Sequence, residues 1–426
     1  MGTRSGGRGF RRLWFGQTVS AVGDQVSFVA VPTVALLVLQ VSPFQLGLLT
    51  TVGTVGYPLL GLVAGVWIDR AQRRKVLIAA DLVRFLAMAS LPVAAVLGGL
   101  GFVQMIVVAA ITGGAAIFFD VGYQAYLPSL VEPEQIARSN ARMEISASTA
   151  QVAGPPVAGF LVQVAGAANA ILVDAASYLA SVLALVTIRE PERLPDRPRR
   201  SLFAEARRGI RIVIRHRLLF RLVLATAAAN LGRGLAMELF LLYAYRGLGF
   251  TPTTASTILA TGAIATLVGA ASCNRIVGRF GLGRAMLVSS AVKGLPWLAA
   301  PLALVWAPFP VMVVISVVSG FFLPIWNVNS VSLRQYLTDA SLLGRVSATA
   351  RTISWATIPL AALLGGVLAQ LAVSYLGNRL GLALVLVFGG LAWSAATLLL
   401  PSSLRTVDSP RDAAELYGRV SEGTGC

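Results

Sequence analysis

Ionisable side chains inside long apolar runs are the residues of this chain whose type and position can do chemistry. Asp24 lies about eleven residues into the first run, roughly 16 Å deep at the rise of an α-helix. A carboxylate at that depth is unfavourable in lipid, and such groups act in proton relays, ion pairs or ligand contacts. We predict that Asp24 is a proton-coupling acid. Two alternatives are an acid paired with a cation of another span and a contact for a cationic substrate.

A second group of polar residues lies in the run 219–245, where Arg233 is near the middle and Glu238 is nearer the outer end. We hypothesise that Arg233 neutralises Asp24 or meets an anionic group of a substrate. Asp174 is expected at the membrane interface, and Asp81 and Arg84 near the inner face. Aromatic residues in spans line cavities or serve packing. The residues predicted to line a substrate cavity are Gln25, Asn230, Arg233, Glu238, Tyr243, Trp326 and Asn327.

The composition excludes several classes of protein. Hydrophobic residues make up 56% of the 426 residues and charged residues only 12%, whereas soluble proteins carry about 25% charged residues. The net charge of +17 would suit nucleic-acid binding, but the arginines lie between the apolar runs, which accounts for it. One histidine and two cysteines cannot build a metal site of the usual kind. No phosphate-binding G-x-x-x-x-G-K-[ST] loop occurs, so neither a metalloenzyme nor such an ATPase is predicted.

The apolar runs are long enough to cross a bilayer as helices, and they predict an all-α membrane protein. Residues 1–188 form a six-helix half, 189–217 a cytoplasmic basic loop, 218–401 a second six-helix half and 402–426 a mobile polar tail. The twelve predicted spans are 13–40, 45–68, 75–98, 101–127, 143–165, 168–188, 219–245, 252–273, 285–305, 308–333, 346–370 and 380–400.

Arginine placement predicts the orientation. Ten arginines lie in residues 189–217, and the other loops on the same side are also basic. Because positive loops stay inside, both termini are predicted in the cytoplasm of a bacterium, with the spans in the plasma membrane. Residues 201–217 form either a helix on the inner surface or a plain basic linker. The expected partners are the lipid bilayer and a small-molecule substrate, with no nucleic acid, and a monomer is expected.

The two halves carry traces of an internal repeat. Pro156 follows Arg142 by fourteen residues in span 5, and Pro359 follows Arg345 by fourteen residues in span 11. Small residues surround both prolines. A duplicated six-span unit is typical of secondary transporters that have their cavity between the halves.

The loop after span 2 resembles a signature of the major facilitator superfamily, G-x-x-x-D-[RK]-x-G-[RK]-[RK]. Gln72 replaces its second glycine. The resemblance implies a latch in which Asp69 and its basic neighbours hold the outward-facing state, and in which Asp120 pairs with an arginine of this loop. The alternative is a charged anchor at the headgroups, which we favour for Arg74. The signature is matched at Gly65, Asp69, Arg70, Arg73 and Arg74.

Span 5 is similar to the antiporter motif of that superfamily, G-P-x-x-G-G, with Ala158 in place of one glycine. Prolines cannot donate backbone hydrogen bonds and glycines allow close helix contact, so the motif predicts a bent and tightly packed pivot. The alternative is a plain packing kink. The motif residues are Gly154, Pro155, Pro156 and Gly159. Stretches at 81–84, 118–120, 139–142 and 174–178 resemble the enterobactin-exporter and macrolide-efflux branch.

The resemblance implies the fold of this superfamily, with a cavity lined by spans 1, 4, 7 and 10. It also implies export of an amphiphilic drug, natural product or siderophore by alternating access in exchange for protons. No cofactor is expected beyond the proton gradient, and sodium would fit the same carboxylate. An importer or facilitator of the same fold is the alternative. A polytopic membrane enzyme or a non-transporting sensor is less compatible with the residues.

Overall fold

A computed structural model of the protein describes residues 6–68, 70–188 and 202–420, and the regular secondary structure of these residues is helical apart from one isolated bridge between Thr338 and Val420. The α-helices are α1 (Gly6–Thr33), α2 (Pro43–Thr54), α3 (Gly56–Ile68), α4 (Arg73–Val96), α5 (Phe102–Leu130), α6 (Ile136–Ala165), α7 (Ala167–Val186), α8 (Leu202–Arg215), α9 (Arg217–Met237), α10 (Phe240–Leu242), α11 (Pro252–Phe280), α12 (Leu282–Val292), α13 (Pro308–Leu337), α14 (Ala340–Ala395) and α15 (Pro410–Tyr417). Short 3₁₀ segments include Leu295–Leu304 and Ala396–Leu399.

The chain divides into two compact units. Unit 1 comprises Met1–Pro198 with Phe250–Ala260, and unit 2 comprises Arg199–Gly249 with Thr261–Cys426. Unit 1 therefore includes the first turns of α11. Within unit 1, α1 packs on α6 and α7, and α4 packs on α5 and α7. Within unit 2, the most extensive helix packing is between α9 and α14. The candidate site described below lies among α1, α4 and α7.

Helix α1 of unit 1 and helix α9 of unit 2 are followed by segments that repeat one another at an interval of 209 positions. Val34–Val38 after α1 and Tyr243–Gly247 after α9 are both π-helical. Each is followed by a residue in the left-handed region, Gln40 at φ 50° and Gly249 at φ 69°. The next helix then begins, in both units, with a hydroxyl residue and a proline at Ser42-Pro43 and Thr251-Pro252. The same local signals thus shape both units.

Nine helical stretches of the described residues are, taken singly, long and apolar enough to cross a membrane. The number is below the twelve predicted spans for identifiable reasons. The run 45–68 is broken at Val55 into α2 and α3. The run 143–165 lies on α6, which is absent from the nine and carries Pro155 and Pro156 within its apolar stretch. The runs 346–370 and 380–400 both lie on the single element α14.

Helix α14 is two helices joined at Gly377, whose φ of 76° lies in the left-handed region that favours glycine. A Cβ atom at Gly381 would lie 2.6 Å from the carbonyl oxygen of Ala372. In one continuous helix, residues nine positions apart would be separated by roughly 13 Å. The chain therefore reverses at Gly377, and the two limbs run back along each other.

The described parts of the basic segment 189–217 and of the polar tail 402–426 pack on the core of unit 2. Residues 202–215 form α8, the helix of one of the two sequence interpretations, and its Val213 is buried; its position on the inner membrane surface stays a prediction. The prediction of a mobile tail is wrong for residues 402–420, because Leu404 and Ala413 are buried in the same core. The Val420 amide also donates to the carbonyl of Leu337 at 2.8 Å. Side-chain and backbone hydrogen bonds from Ser409 at the start of α15 lower the pKa of Asp412.

Glycine allows close helix crossings in both units. A Cβ atom at Gly113 of α5 would overlap the Gly53 carbonyl oxygen of α2, and one at Gly320 of α13 would overlap the Gly262 carbonyl oxygen of α11. The first crossing is in unit 1 and the second in unit 2. Small residues let helix backbones approach closely in membranes. The two glycine pairs thus hold corresponding helices together in each unit.

Candidate functional site

Asp24 lies in the middle of α1 with one carboxylate oxygen held and the other open. Its Oδ1 accepts hydrogen bonds from Arg84 Nη2 at 2.9 Å and from the Tyr178 hydroxyl at 2.6 Å. Oδ2 accepts none from the described residues. The side chain is 43% exposed, whereas that of Arg84 is 11% exposed. The carboxylate therefore has a protein-facing oxygen and a second oxygen that a proton can reach.

Arg84 of α4 is the buried cation of this site. Its Nη1 lies 3.4 Å from Oδ1 of Asp81, one turn earlier on the same helix. Its guanidinium carbon lies 4.0 Å above the ring of Tyr178, and Phe119 stands on another side at 5.9 Å. Cation–π contact and two carboxylates together stabilise a charge that burial alone would disfavour. Arg84 thus stands between two acids, Asp24 and Asp81.

These contacts add a partner for Asp24 and correct one expectation. Within unit 1 the cation against Asp24 is Arg84, which fits the predicted alternative of an acid paired with a cation of another span. Asp81 and Arg84 were expected near the inner face, beside the basic loop, but they belong to the Asp24 site. Sequence alone does not show which faces of α1, α4 and α7 meet. The missed partner was Tyr178, which stands in a stretch that resembles the efflux branch but carries no charge to single it out.

Two further acids of unit 1 lie behind this site. Asp174 is fully buried and accepts hydrogen bonds from the hydroxyls of Ser27 and Ser177, so the prediction of an interface acid is wrong. Asp120 accepts a hydrogen bond from the Tyr57 hydroxyl at 2.5 Å. The resemblance had implied an arginine of the basic loop in that position. Both acids thus accept hydrogen bonds from neutral hydroxyl donors, at both oxygens of Asp174 and at one oxygen of Asp120.

The basic loop is described only in part. Asp69, the central acid of the predicted latch, lies outside the described residues. Arg70 is exposed and Gly65 is half-buried. Arg73 is buried and donates to the Ala125 carbonyl of α5 at 3.1 Å. Arg74 donates to the carbonyls of Leu185 and Val186 at the end of α7, at 2.9 and 2.6 Å. Arg74 therefore caps a helix, which is more specific than the lipid anchor that we favoured.

The span-5 motif is a packing surface on α6. A Cβ atom at Gly154 would overlap the side chain of Gln25, the neighbour of Asp24 on α1. One at Gly159 would lie 2.5 Å from the Ser256 hydroxyl in the first turns of α11. Pro155 is buried and Pro156 half-buried in a helix that runs unbroken from Ile136 to Ala165. Gly154 thus sets how closely α6 approaches α1, and Gly159 how closely it approaches α11.

The predicted cavity residues of unit 2 separate into two groups. Arg233 is exposed, as is Asn327, and Glu238 is half-buried. Asn230 is half-buried and donates to the Ser354 carbonyl of α14 at 3.2 Å. Tyr243 and Trp326 are fully buried, so their assignment to an open cavity is wrong. The Tyr243 hydroxyl donates to the Ala300 carbonyl at 2.7 Å, and Trp326 belongs to the core of unit 2.

Lys293 closes α12 in the interior of unit 2, and the sequence had given it no role. The side chain is fully buried, and its ammonium nitrogen has no hydrogen-bond acceptor among the described residues. It lies 4.5 Å from the ring centre of Trp326. Lys293 follows Arg84 by 209 positions, the interval of the repeat. Both units therefore stack a buried basic side chain on an aromatic ring, and among the described residues unit 1 alone supplies it with acids.

Replacing Tyr178 by phenylalanine tests how the hydroxyl holds the site together. The ring stays beneath Arg84, but the hydrogen bonds to Asp24 and from Arg84 are lost. We expect the free energy of unfolding to fall by about 1–3 kcal/mol, as for hydrogen bonds to charged groups. Thermal unfolding in detergent measures this. Tyr123→Phe is the matched control, because its hydroxyl has no described hydrogen-bond partner; equal losses in both variants would contradict the prediction.

Comparison with known proteins places this chain in a family. The sequence profile of the Major Facilitator Superfamily matches residues 13–362. The multidrug efflux pump Tap of Mycolicibacterium fortuitum is 27% identical over 84% of this chain and 89% of its own length. Macrolide efflux protein A of Streptococcus pyogenes is 24% identical over 85% of this chain and 89% of its own length.

Solved structures show the same fold. A bacterial homologue of the iron transporter ferroportin has a TM-score of 0.73 at 20% identity, covering 92% of this chain and 98% of that chain. A bacterial homologue of the human lysosomal transporter Spinster has a TM-score of 0.71 at 14% identity, covering 99% and 100%. The family predicted from the loop and span-5 motifs is confirmed. This multi-pass membrane chain belongs to the Major Facilitator Superfamily of transporters.

Proposed function

We propose that this transporter is a secondary active exporter of amphiphilic small molecules, driven by proton exchange through alternating access. Membership of a transporter family and the names of the multidrug and macrolide efflux relatives support export. The observation that carries proton coupling is the Asp24 site, where a partly exposed carboxylate meets a buried cation. The proposed substrates are amphiphilic drugs, natural products or siderophores. The multidrug and macrolide efflux relatives support this class.

We also propose twelve membrane spans with both termini in the cytoplasm. To the nine helical stretches, three further crossings are added: α2 with α3, α6, and the second limb of α14. An even number of crossings puts both termini on one side. The concentration of arginine in 189–217 and in the other loops on that side assigns it to the cytoplasm.

In this proposal the proton breaks the ion pair between Asp24 and Arg84 and leaves the ion pair between Asp81 and Arg84 in place. With Asp24 ionised, Oδ1 ties α1 to α4 through Arg84 and to α7 through Tyr178. A proton arriving at the open Oδ2 neutralises the carboxylate and removes its attraction for the guanidinium. Arg84 then keeps Asp81 as its counter-charge, so the buried cation is never left alone. Protonation therefore changes the contacts of α1, while Arg84 on α4 keeps a counter-charge. Protonation would favour one facing state of the transporter, and substrate binding would favour the other.

Replacing Asp24 by asparagine tests this assignment. Asparagine keeps the size of the side chain and still accepts hydrogen bonds, but it cannot exchange a proton. We expect efflux of a fluorescent amphiphilic drug from a pump-deficient bacterium to fall to the level of cells without the transporter. Wild-type efflux should also stop when a protonophore is added, and a sodium ionophore should leave it unchanged.

Glu134→Gln is the matched control, since it neutralises an exposed acid outside the site. It should export as the wild type does. Protonophore-sensitive efflux that survives Asp24→Asn would remove Asp24 from the mechanism. Higher accumulation of the drug in wild-type cells than in cells lacking the protein would support the alternative, an importer or facilitator.

A further inference from the structure

Unit 1 carries a groove of about 670 Å³ between the start of α1 and the end of α7, with arginines at one end and an apolar wall. Phe15 and Leu183 of this wall are 63% and 61% exposed. Arg12 is fixed by a hydrogen bond to the Thr187 carbonyl, beside the carbonyls that Arg74 caps. The residues that carry the argument are Arg8, Arg11, Arg12, Phe15, Leu183 and Ala184.

Unit 2 carries a second groove of about 450 Å³ between the start of α9 and the segment Ala396–Leu399. This groove also combines arginines with an apolar wall, and Leu398 on that wall is 86% exposed. Its arginines and main apolar residues are Arg215, Arg217, Arg221, Phe220, Leu224 and Leu398.

The two grooves occupy corresponding positions of the repeat. Arg8 and Arg217, Arg12 and Arg221, and Phe15 and Leu224 are each separated by 209 positions. The same interval relates the π-helical segments at the far ends of these helices. Each unit therefore presents three arginines and an apolar wall near the start of the repeated helix, which is α1 in unit 1 and α9 in unit 2, with Arg215 supplied by the end of α8.

The chemistry of both grooves matches one kind of ligand. No acidic side chain among the residues that the structure describes lines either groove. Guanidinium groups bind phosphate oxygens through paired, charge-assisted hydrogen bonds. The walls are exposed apolar surface on a membrane protein, which faces acyl chains. A free phosphate would use the arginines but leave these walls uncovered.

We propose that the two grooves are binding sites for an anionic phospholipid, one in each unit. The phosphate of the lipid binds the arginines, and one acyl chain lies along the apolar wall. Basic pockets between membrane helices bind anionic headgroups in this way. The sites are independent of what the transporter exports, so they stand or fall separately from the proposed function.

Native mass spectrometry of the purified full-length protein tests this, with phosphatidylglycerol added and phosphatidylcholine as the neutral lipid. The wild type should retain two phosphatidylglycerol molecules at collision energies that strip phosphatidylcholine. Arg8→Gln with Arg11→Gln should retain one, Arg215→Gln with Arg217→Gln should retain one, and the fourfold variant none. These substitutions leave Arg12 and its hydrogen bond to the Thr187 carbonyl intact. Size-exclusion chromatography checks that each variant is folded.

The control is Arg275→Gln with Arg279→Gln, which removes two exposed arginines of α11 outside both grooves. It should still retain two lipids. Equal loss in the control and groove variants would overturn the proposal in favour of unspecific attraction. Unchanged retention in the fourfold variant would overturn it as well. Displacement of the lipid by millimolar glycerol phosphate would show a phosphate site without an acyl-chain site, and would also overturn it.

Discussion

Replacing Arg84 by methionine is expected to lower the free energy of unfolding by roughly 3–5 kcal/mol, the usual effect of removing one partner from a buried ion pair. Methionine has a similar length but no charge, so Asp81 would remain buried without a cation. Tyr178 would lose its cation–π partner at the same time. The melting temperature of the detergent-solubilised protein measures the loss, and efflux should be absent.

Companion variants separate loss of charge from loss of packing. Arg84→Lys keeps a cation but cannot bond to Asp24, Asp81 and Tyr178 together, so a smaller loss is expected. The triple variant Asp24→Asn, Asp81→Asn, Arg84→Met removes acids and cation alike and should recover most of the stability. If Arg84→Met melts at the wild-type temperature, the site described here does not hold α1, α4 and α7 together.

Replacing Gly113 by valine is the second change with a large expected effect. The new side chain would overlap the Gly53 carbonyl oxygen, a backbone atom that cannot move aside without displacing α2. Overpacking a tight contact typically destabilises by about 1–3 kcal/mol, and a backbone clash belongs at or above the upper end. We expect little folded protein in the membrane fraction, measured by fluorescence-detected size-exclusion chromatography.

Gly114→Val is the matched control on the same helix. No atom lies within 4 Å of a Cβ atom at Gly114, while the change in helix propensity is the same. This variant should accumulate like the wild type. Gly320→Val should repeat the effect in unit 2, because it meets the Gly262 carbonyl oxygen. Similar yields for the Gly113 and Gly114 variants would show that α2 and α5 do not cross as closely as described.

The positions of the helices were predictable from sequence, because apolar runs in lipid must be helical. The predicted ends at 75–98 and 168–188 differ by one or two residues from those of α4 and α7. The family was also predictable, because its motifs are short and local. These predictions use only the order of residues along one helix.

Lateral packing was not predictable in the same way. Asp174 was assigned by its distance from the end of its run, but burial depends on the face it presents to α1. Trp326 fits a cavity wall and a core equally well by composition. The partnership of Asp24 with Arg84 joins residues sixty positions apart on different helices, and a single sequence carries no signal for such pairs.

The reversal at Gly377 bears on how the chain enters the membrane. A one-residue turn leaves almost no hydrophilic segment between the two limbs of α14, and the only charge at the turn is Arg379. Both limbs are therefore expected to leave the insertion machinery together as a helical hairpin, with a single charge to translocate. Arg379 then donates to the Leu304 carbonyl at 3.2 Å, an acceptor supplied by a segment synthesised earlier. Biogenesis of this hairpin thus ends by docking onto a chain that is already in place.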